Sequence, residues 1–239
     1  AVRELVRFRP GAVRDVYVRE DAWGTHADVV DAARRATRWV HPVTAEVSAA
    51  LSRDSQGVCA VASADAVSRE LPEPSVGETL VVLAQGRDPG NVGTIIRTAD
   101  AFGAVGVITV SGTVEATSPK VVRASAGSVF HIPVCVVSSF EEAHALIHRR
   151  SAALLGTSGG VGSLDLSQIL VQGVSGRSRL SQSHAWVFGN EAKGLSGAEM
   201  RLCDALVSIP MTGDAESLNV ASAATACLFA SQTVRGMTL

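Results

Sequence analysis

Apolar residues recur along the chain in short runs, and these runs alternate with stretches in which apolar residues fall every three or four positions. Short runs rich in Val, Ile and Leu are typical of buried strands, and the wider spacing is typical of amphipathic helices. After residue 78 the predicted strands are Leu80–Ala84, Val105–Val110, Val134–Val137, Ala153–Gly156, Ala185–Phe188 and Leu206–Ile209. The predicted helices are Val92–Phe102, Lys120–Ala126, Phe140–His148, Ala198–Cys203 and Leu218 to about Arg235. This alternation predicts an α/β fold with a parallel sheet.

The N-terminal part of the chain shows the same kind of pattern on a smaller scale. Its predicted elements are a strand at Val13–Val18, helices at Asp28–Trp39 and Thr44–Leu51, and a strand at Gly57–Ala62. Two prolines and a glycine mark Leu71–Gly77 as a linker, because these residues favour turns over regular structure. We therefore predict a small α/β domain over 1–75 and a larger α/β domain over 76–239.

Composition narrows the class of protein. The chain has 239 residues, of which 46% are hydrophobic and 18% charged, and this excludes global disorder. A run of apolar residues long enough to span a membrane is absent, and the basic start of the chain lacks the apolar core of a secretory signal. The missing initiator Met indicates a trimmed or truncated start. Four widely spaced cysteines predict neither a disulfide framework nor a metal site. We expect a reduced, soluble, cytoplasmic protein without a metal.

The charge balance does not indicate a nucleic-acid partner. Twenty-one basic and 23 acidic residues give a formal net charge of −2, whereas nucleic-acid-binding domains are usually basic. Lys120 and Lys193 are the only lysines, however, and arginine suits phosphate contacts and base stacking better than lysine does. A local patch of arginines therefore stays possible, for example Arg34, Arg35 and Arg38 on one predicted helix.

Polar residues with possible chemical roles follow the first strand of the larger domain. The segment Gln85–Gly103 turns through Asp-Pro-Gly and then begins a helix near Asn91, whose side chain is expected to cap that helix. Arg97 lies six residues further along. The alternative interpretation makes Asn91 a simple cap and pairs Arg97 with Asp100 on the helix surface.

Two further segments follow later strands in the same way. Phe188 ends an apolar run and is followed by Gly189-Asn-Glu191, and the alternative interpretation of Glu191 is a solvated carboxylate in a turn. After Ile209, a polar stretch leads to Ser217, the predicted N-cap of an Ala-rich helix. Because open α/β sheets bind ligands at the carboxyl ends of their strands, the three segments together predict one pocket.

Other patterns favour structural interpretations. Gly159-Gly-Val-Gly162 lacks the dinucleotide fingerprint, and the P-loop pattern is absent. His144 and His148 have a spacing that can bind zinc, but without the usual accompanying motif a solvated helix face is favoured. The Gly- and Ser-rich stretch Gly173–His184 is interpreted as a flexible surface loop, and the alternative makes Arg177 and Arg179 phosphate contacts.

The order and spacing of the three segments resemble the signature motifs of the SpoU-type (TrmH-like) RNA 2′-O-ribose methyltransferases, which belong to the SPOUT superfamily. The matching motifs are Asn91-Val-Gly-Thr-Ile-Ile-Arg97-Thr-Ala, Phe188-Gly-Asn-Glu-Ala-Lys-Gly-Leu195 and Ile209-Pro-Met followed by Ser217-Leu-Asn-Val-Ala-Ser-Ala. The resemblance covers residues 78–235 and includes Ser125–Pro133. More loosely, 1–75 resembles the ribosomal-protein-like substrate-binding module that often precedes this domain, chiefly at 56–60, and its front looks short.

The resemblance implies a fold and partners that periodicity does not reveal. It implies that the C-terminal part is a deep trefoil knot, and that the protein is a homodimer through its last helix and the helix of the first motif. It implies S-adenosylmethionine as the cofactor and RNA as the substrate, with no metal. By motif position, the cofactor contacts would be Gly189, Ile209 and Leu218, with Thr157 and Met211 as neighbours.

The resemblance also implies catalytic roles. Arg97 would act on the ribose 2′-hydroxyl, while Asn91, Ser217 and Asn219 would position Arg97, the ribose and the backbone, and Glu191 would hold the arginine or the dimer geometry. Ribosomal RNA is favoured over transfer RNA because of the N-terminal module. Two alternatives remain: a non-catalytic RNA-binding or ribosome-assembly factor with the same fold, and a base methyltransferase of the same superfamily.

Overall fold

The computed structural model describes residues 1–160, 162–174 and 178–238, without the side chains of 174, 237 and 238. The N-terminal part forms a three-stranded sheet flanked by helices. Its elements are α1 (Val2–Phe8), β1 (Val13–Arg19), α2 (Ala27–Ala36), β2 (Val40–Val43), α3 (Ala45–Leu51) and β3 (Val58–Ala62). The order is β2-β1-β3, with β1 parallel to β2 and antiparallel to β3. Alternate residues of β1, Val16 and Val18, are fully buried in one core with Val29, Val30 and Ala33 of α2, as expected for a strand with one covered face.

The remainder of the chain builds a seven-stranded sheet in the order β6-β5-β4-β9-β7-β10-β8. Its strands are β4 (Thr79–Leu83), β5 (Gly106–Val110), β6 (Val134–Val137), β7 (Ala153–Thr157), β8 (Leu164–Asp165), β9 (His184–Phe188) and β10 (Ala205–Ser208). Its helices are α4 (Pro89–Ala101), α5 (Pro119–Ala124), α6 (Phe140–Arg149), α7 (Leu166–Val174), α8 (Gly197–Leu202) and α9 (Val220–Thr238). Every strand pairing in this sheet is parallel. The predicted α/β fold with a parallel sheet is confirmed.

The central strands are apolar on both faces because both faces are covered. All five residues of β4 and of β9 are buried. Alternate residues belong to two separate clusters, with Val81, Leu83 and Trp186 in one and Leu80 and Val82 in the other. This explains why the sequence shows continuous apolar runs there instead of alternation.

Two N-terminal elements differ from the predictions. The helix predicted over Asp28–Trp39 ends at Ala36, because Thr37 is extended and the chain then pairs with β1 as β2. Helix α1 has no counterpart among the predicted elements. Both differences come from tertiary contacts, which outweigh local propensity in short elements.

The prediction that Gly173–His184 forms a surface loop is wrong for the C-terminal half of this segment, which the structure describes. Leu180 and His184 are fully buried, and a single 3₁₀ turn spans Arg179–Ser181 and packs against α7 and α9. The isolated Leu180 carries no periodic signal, so the pattern of the sequence did not reveal this burial. Arg179 is exposed, and Arg177 lies outside the described residues.

The segment between the two sheets is fixed by a buried ion pair. Arg150 of the α6–β7 connection donates to Glu78 through Nε (2.7 Å) and Nη2 (2.8 Å), and through Nη1 to the Pro72 carbonyl (2.8 Å). Burial opposes ionisation of Glu78, but hydrogen bonds from Arg150 and Ser75 outweigh it and lower the pKa of this carboxyl. The segment predicted as a linker is therefore tied to the large sheet.

A histidine connects the N-terminal helix α1 to helix α4. His131 contacts Asp100 of α4 through Nδ1 (2.8 Å) and Glu4 of α1 through Nε2 (3.1 Å). The ring of Phe8 lies 4.1 Å from the His131 ring, and Arg9 Nε donates to the Phe130 carbonyl (3.0 Å).

Among the described residues, no helix has the length and apolar character needed to cross a membrane.

Candidate active site

The three polar segments meet at one edge of the large sheet. Strands β4, β9, β7 and β10 are neighbours and run parallel, so the loops that follow them leave the sheet on the same side. Asp88, in the loop after β4, donates its backbone N–H to Glu191 Oε1 in the loop after β9 (3.2 Å). Glu191 is exposed, and its carboxylate joins two of the three segments through the backbone of Asp88.

The loop after β9 is a tight hairpin that requires glycine. Asn190 and Gly194 exchange two backbone hydrogen bonds (3.0 and 2.8 Å), and Asn190 Oδ1 accepts from the N–H groups of Ala192 and Lys193. Gly194 has a φ of +65°, a conformation that favours glycine. A Cβ on Gly189 would lie 2.5 Å from the Leu195 nitrogen and closer still to the Gly194 carbonyl. The backbone at Gly189 therefore approaches the hairpin more closely than a side chain permits.

Helix α4 begins differently from the prediction. Its N-cap is Asp88, whose Oδ1 accepts from the Asn91 N–H (2.8 Å), and Pro89 occupies the first helical position. The prediction that Asn91 caps this helix is wrong, because Asn91 is already inside the first turn. The signal for Asp88 was present in the sequence, since a capping residue followed by proline is a common helix start.

The N-cap of α9 is also different. Asn219 Oδ1 accepts from the N–H groups of Ala221 (2.8 Å) and Ser222 (3.3 Å). The predicted N-cap, Ser217, is wrong: it lies exposed in the preceding loop, where the chain has not yet become helical. Both residue types are good caps, so the sequence alone did not distinguish them.

A side-chain hydrogen bond joins the starts of these two helices. Asn219 Nδ2 donates to Asn91 Oδ1 (3.0 Å). Because Asn219 Oδ1 already accepts two backbone N–H groups, its amide nitrogen is the group available to donate. The first and third sequence segments, 128 residues apart at this contact, are thereby brought together.

Arg97 lies on the exposed side of α4. It is six residues after Asn91, which corresponds to about 9 Å along a helix axis. The alternative interpretation paired Arg97 with Asp100. This interpretation is wrong, because Asp100 binds His131 instead. In the parts of the chain that the structure describes, the Arg97 guanidinium has no ion-pair or hydrogen-bond partner, so its donors face solvent.

The residues proposed for the cofactor fall on three adjacent strand ends. Thr157 ends β7, Gly189 follows β9 and Ile209 follows β10; all three are half-buried. The Thr157 hydroxyl donates to the Val187 carbonyl (2.8 Å) and so fixes one strand end to the next. Met211 and Leu218 lie in the long loop after β10, and each side chain is 44% exposed.

Residues 210–218, in the loop after β10, are all exposed to solvent. Within the described residues, the backbone groups of 210–218 have no backbone hydrogen-bond partner, and the same loop exposes Met211 and Leu218. Apolar side chains beside free backbone donors and acceptors suit a flat heterocycle such as adenine. This loop and the Gly189 hairpin thus fit a nucleoside-containing cofactor.

Among the described residues, no cluster of three or more His, Cys, Asp or Glu side chains has an arrangement suited to a metal.

Comparison with known proteins agrees with this geometry. The family model described as the SpoU rRNA Methylase family matches residues 78–229, the part that contains all three segments. The chain belongs to this family. The expected resemblance is therefore confirmed.

One relative and two solved structures are similar to nearly the whole chain. A 23S rRNA (guanosine-2′-O-)-methyltransferase of Bordetella pertussis is 32% identical over 97% of this chain and 93% of the relative. The crystal structure of the SpoU methyltransferase AviRb from Streptomyces viridochromogenes gives a TM-score of 0.79 at 29% identity, covering 98% of this chain and 88% of that one. An AdoMet-bound rRNA methyltransferase from Sinorhizobium meliloti gives a TM-score of 0.73 at 30% identity, covering 95% and 84%.

Proposed function

We propose that this SpoU-family protein transfers a methyl group from S-adenosylmethionine to a ribose 2′-hydroxyl of ribosomal RNA. The observation that carries the proposal is the convergence of the three family motifs, joined by the Asn219–Asn91 and Asp88–Glu191 hydrogen bonds. The relatives named as 23S rRNA 2′-O-methyltransferases and the AdoMet-bound neighbour support the reaction and the cofactor. They also favour ribosomal over transfer RNA.

The cofactor would be held at the ends of β9, β7 and β10. Gly189, Ile209 and Leu218 would contact it, with Thr157 and Met211 beside them. When bound, S-adenosylmethionine supplies an electrophilic methyl group on a sulfonium. The protein's contribution is to place the backbone around the cofactor: the Asn190–Gly194 hairpin holds the loop after β9, and the Asn219 cap fixes where the loop after β10 ends and α9 begins.

The proposed chemistry at the ribose depends on a fixed cation. A neutral hydroxyl is a weak nucleophile, so its proton must leave as the oxygen attacks. An arginine side chain stays charged at neutral pH, and Arg97 would therefore stabilise the negative charge that develops on the 2′-oxygen and bind the adjacent phosphate. The proton would pass to water or phosphate. Asn91, Asn219 and Ser217 would position the ribose and α4, and Glu191 would hold the loop after β4 through the Asp88 backbone.

The finer architecture is part of the same proposal. The strand order supports a trefoil knot in the C-terminal part, since β9 lies between β4 and β7 while β10 lies beyond β7. We assign 1–75 to an RNA-binding module and 76–239 to the methyltransferase domain. We expect a homodimer through α4 and α9, where Phe229 is half-exposed beside Phe102 (6.1 Å between rings). We expect a protein that acts on ribosomal RNA to be cytoplasmic.

The test is methyl transfer from tritium-labelled cofactor to protein-free 23S rRNA, followed by nuclease mapping. A 2′-O-methylated linkage resists alkaline hydrolysis, because the 2′-oxygen is the group that performs the cleavage. Label recovered in a base would indicate a base methyltransferase. RNA binding without any transfer would indicate a non-catalytic assembly factor, the second candidate.

Substituting Arg97 tests its role directly. We expect R97A to lower the rate of methyl transfer by about two to three orders of magnitude, as for other groups that stabilise developing charge, while cofactor affinity measured by calorimetry stays unchanged. R149A, which removes an exposed arginine from α6, is the matched control and should keep the wild-type rate. Near-wild-type transfer by R97A would rule out both roles for Arg97.

A further inference from the structure

The small N-terminal sheet displays a ladder of aromatic rings on the face that α2 does not cover. Tyr17 of β1 pairs in register with His41 of β2, and their rings are stacked with centroids 5.0 Å apart and planes 22° apart. Trp39 continues the ladder, at 6.2 Å and 16° from His41. Trp39 is 50% exposed, so the outermost and largest ring of the ladder remains open to solvent.

The backbone that presents Trp39 is held rigidly. The Trp39 carbonyl accepts from the Val16 N–H (2.9 Å). The Trp39 N–H donates to Thr37 Oγ1 (3.2 Å), and the Thr37 hydroxyl donates to the Arg14 carbonyl (2.8 Å). These bonds fix the α2–β2 turn to β1. An exposed tryptophan on such a backbone loses little further conformational entropy on binding a ligand.

Positive charge surrounds the exposed end of the ladder. The Arg38 guanidinium lies 4.7 Å from the centre of the Trp39 ring. Arg14 and Arg38 line a surface cavity of about 360 Å³ beside this ring, together with Val13, Asp15, Thr37 and Trp39. The single carboxylate in this lining, Asp15, is engaged by His41 Nε2 (2.9 Å). The cavity therefore offers two cations and a flat aromatic surface, although the net charge of the whole chain is −2.

We propose that this surface, formed by Trp39, Arg14 and Arg38, binds an unpaired base of the RNA substrate and its flanking phosphate. Proteins recognise unpaired bases by stacking them on aromatic rings or on arginine guanidinium planes, and arginine also binds the backbone phosphate. The base stacks on the exposed end of the ladder while the arginines hold the phosphate. This inference rests on the proposed function and assigns the N-terminal module a specific contact with single-stranded RNA.

The inference is tested by measuring how tightly the full chain binds a short, fluorescently labelled, single-stranded oligoadenylate. Fluorescence anisotropy reports this binding. Loss of one base–aromatic stack usually weakens binding about tenfold, so we expect W39A to raise the Kd by about that factor. W39F, which keeps an aromatic face, should recover most of the affinity. L51A removes an apolar side chain of similar exposure (48%) from the same module and should bind like the wild type. Affinity for an RNA duplex of the same length should change little in W39A.

Methyl transfer to protein-free 23S rRNA provides a second readout. We expect W39A to raise the KM for RNA and to leave kcat unchanged, because Trp39 lies outside the three motif segments. If the wild-type protein binds the oligonucleotide but methylates no RNA, the proposed function fails while the base contact stands. If methylation proceeds and W39A leaves both Kd and KM unchanged, the base contact alone is wrong.

Two further results would overturn the inference. An equal loss of affinity for single-stranded and duplex RNA in W39A would mean that the ring does not stack on an unpaired base. A change in the sedimentation coefficient of W39A without a change in RNA affinity would mean that the surface binds a second copy of the chain. Thermal unfolding of each variant, with W39F as the conservative substitution, separates these effects from a loss of folding.

Discussion

At the scale of single residues, the candidate site depends on positions whose side chains cannot be exchanged. Gly189 has no room for a Cβ beside the Gly194 carbonyl. Asn219 uses its amide oxygen to accept from backbone N–H groups and its amide nitrogen to donate to Asn91 Oδ1, and a short side chain with a separate acceptor atom and donor atom is an amide. Arg97, by contrast, is constrained by no partner among the described residues, as expected for a group whose partner is a substrate.

We expect G189A to lose cofactor binding and to destabilise the fold by about 1–3 kcal/mol, the usual cost of forcing atoms into a packed space. The Cβ would displace the hairpin 189–194 from the end of β9. Calorimetric titration with S-adenosylmethionine and urea unfolding measure the two effects. G24A is the control, because a Cβ at Gly24 meets nothing within 4 Å. Wild-type cofactor affinity in G189A would show that the hairpin is not part of the cofactor site.

At the scale of elements, the site is assembled by the starts of two helices. The N-caps Asp88 and Asn219 fix where α4 and α9 begin, and the Asn219–Asn91 bond holds the two starts together. The helices also pack against each other along their length. The position of Arg97 on α4 relative to the loop after β10 therefore depends on how α4 and α9 are docked.

Two substitutions of Asn219 separate capping from the contact with Asn91. We expect N219A to lower the free energy of unfolding by about 1 kcal/mol through loss of the cap, and to lower the rate of methyl transfer. N219D keeps acceptor oxygens for the α9 N–H groups but cannot donate to Asn91. It should recover stability in urea unfolding and still transfer methyl groups slowly. A wild-type rate in N219D would show that the bond to Asn91 has no role in catalysis.

At the scale of the whole molecule, a buried polar network joins the centre of the large sheet to α9. His184 donates through Nδ1 to the Gln182 carbonyl (2.8 Å), and its Nε2 accepts from the Ser231 hydroxyl (2.8 Å). Trp186 Nε1 donates to the same hydroxyl (2.8 Å). Burial is the main cause that lowers the pKa of His184 to about 4; the Gln182 hydrogen bond opposes this shift, and the nearby charge of Arg235 contributes to it. The network is therefore built for a neutral imidazole.

This network predicts a loss of stability in mild acid. Histidine in the unfolded chain has a pKa of 6.5, so between pH 6.5 and about 4 the unfolded state takes up the proton and the folded state does not. The contribution of His184 is complete above pH 6.5 and decreases by up to about 3 kcal/mol as the pH falls through this window. Urea unfolding at several pH values measures it. H184Q should be less stable at neutral pH but less sensitive to pH, and an unchanged pH dependence in H184Q would contradict the assignment.

The sequence by itself determined the alternation of strands and helices, the parallel sheet and the family, because apolar periodicity and motif spacing are local properties. It did not determine which residue caps α9, since Ser217 and Asn219 are both capable caps, whereas the proline after Asp88 already marked the start of α4. Burial of Leu180, pairing of β2 with β1 and the aromatic ladder at Trp39 likewise depend on residues distant in the chain. Tertiary contacts decided these features, because each joins segments whose local sequence is compatible with more than one conformation.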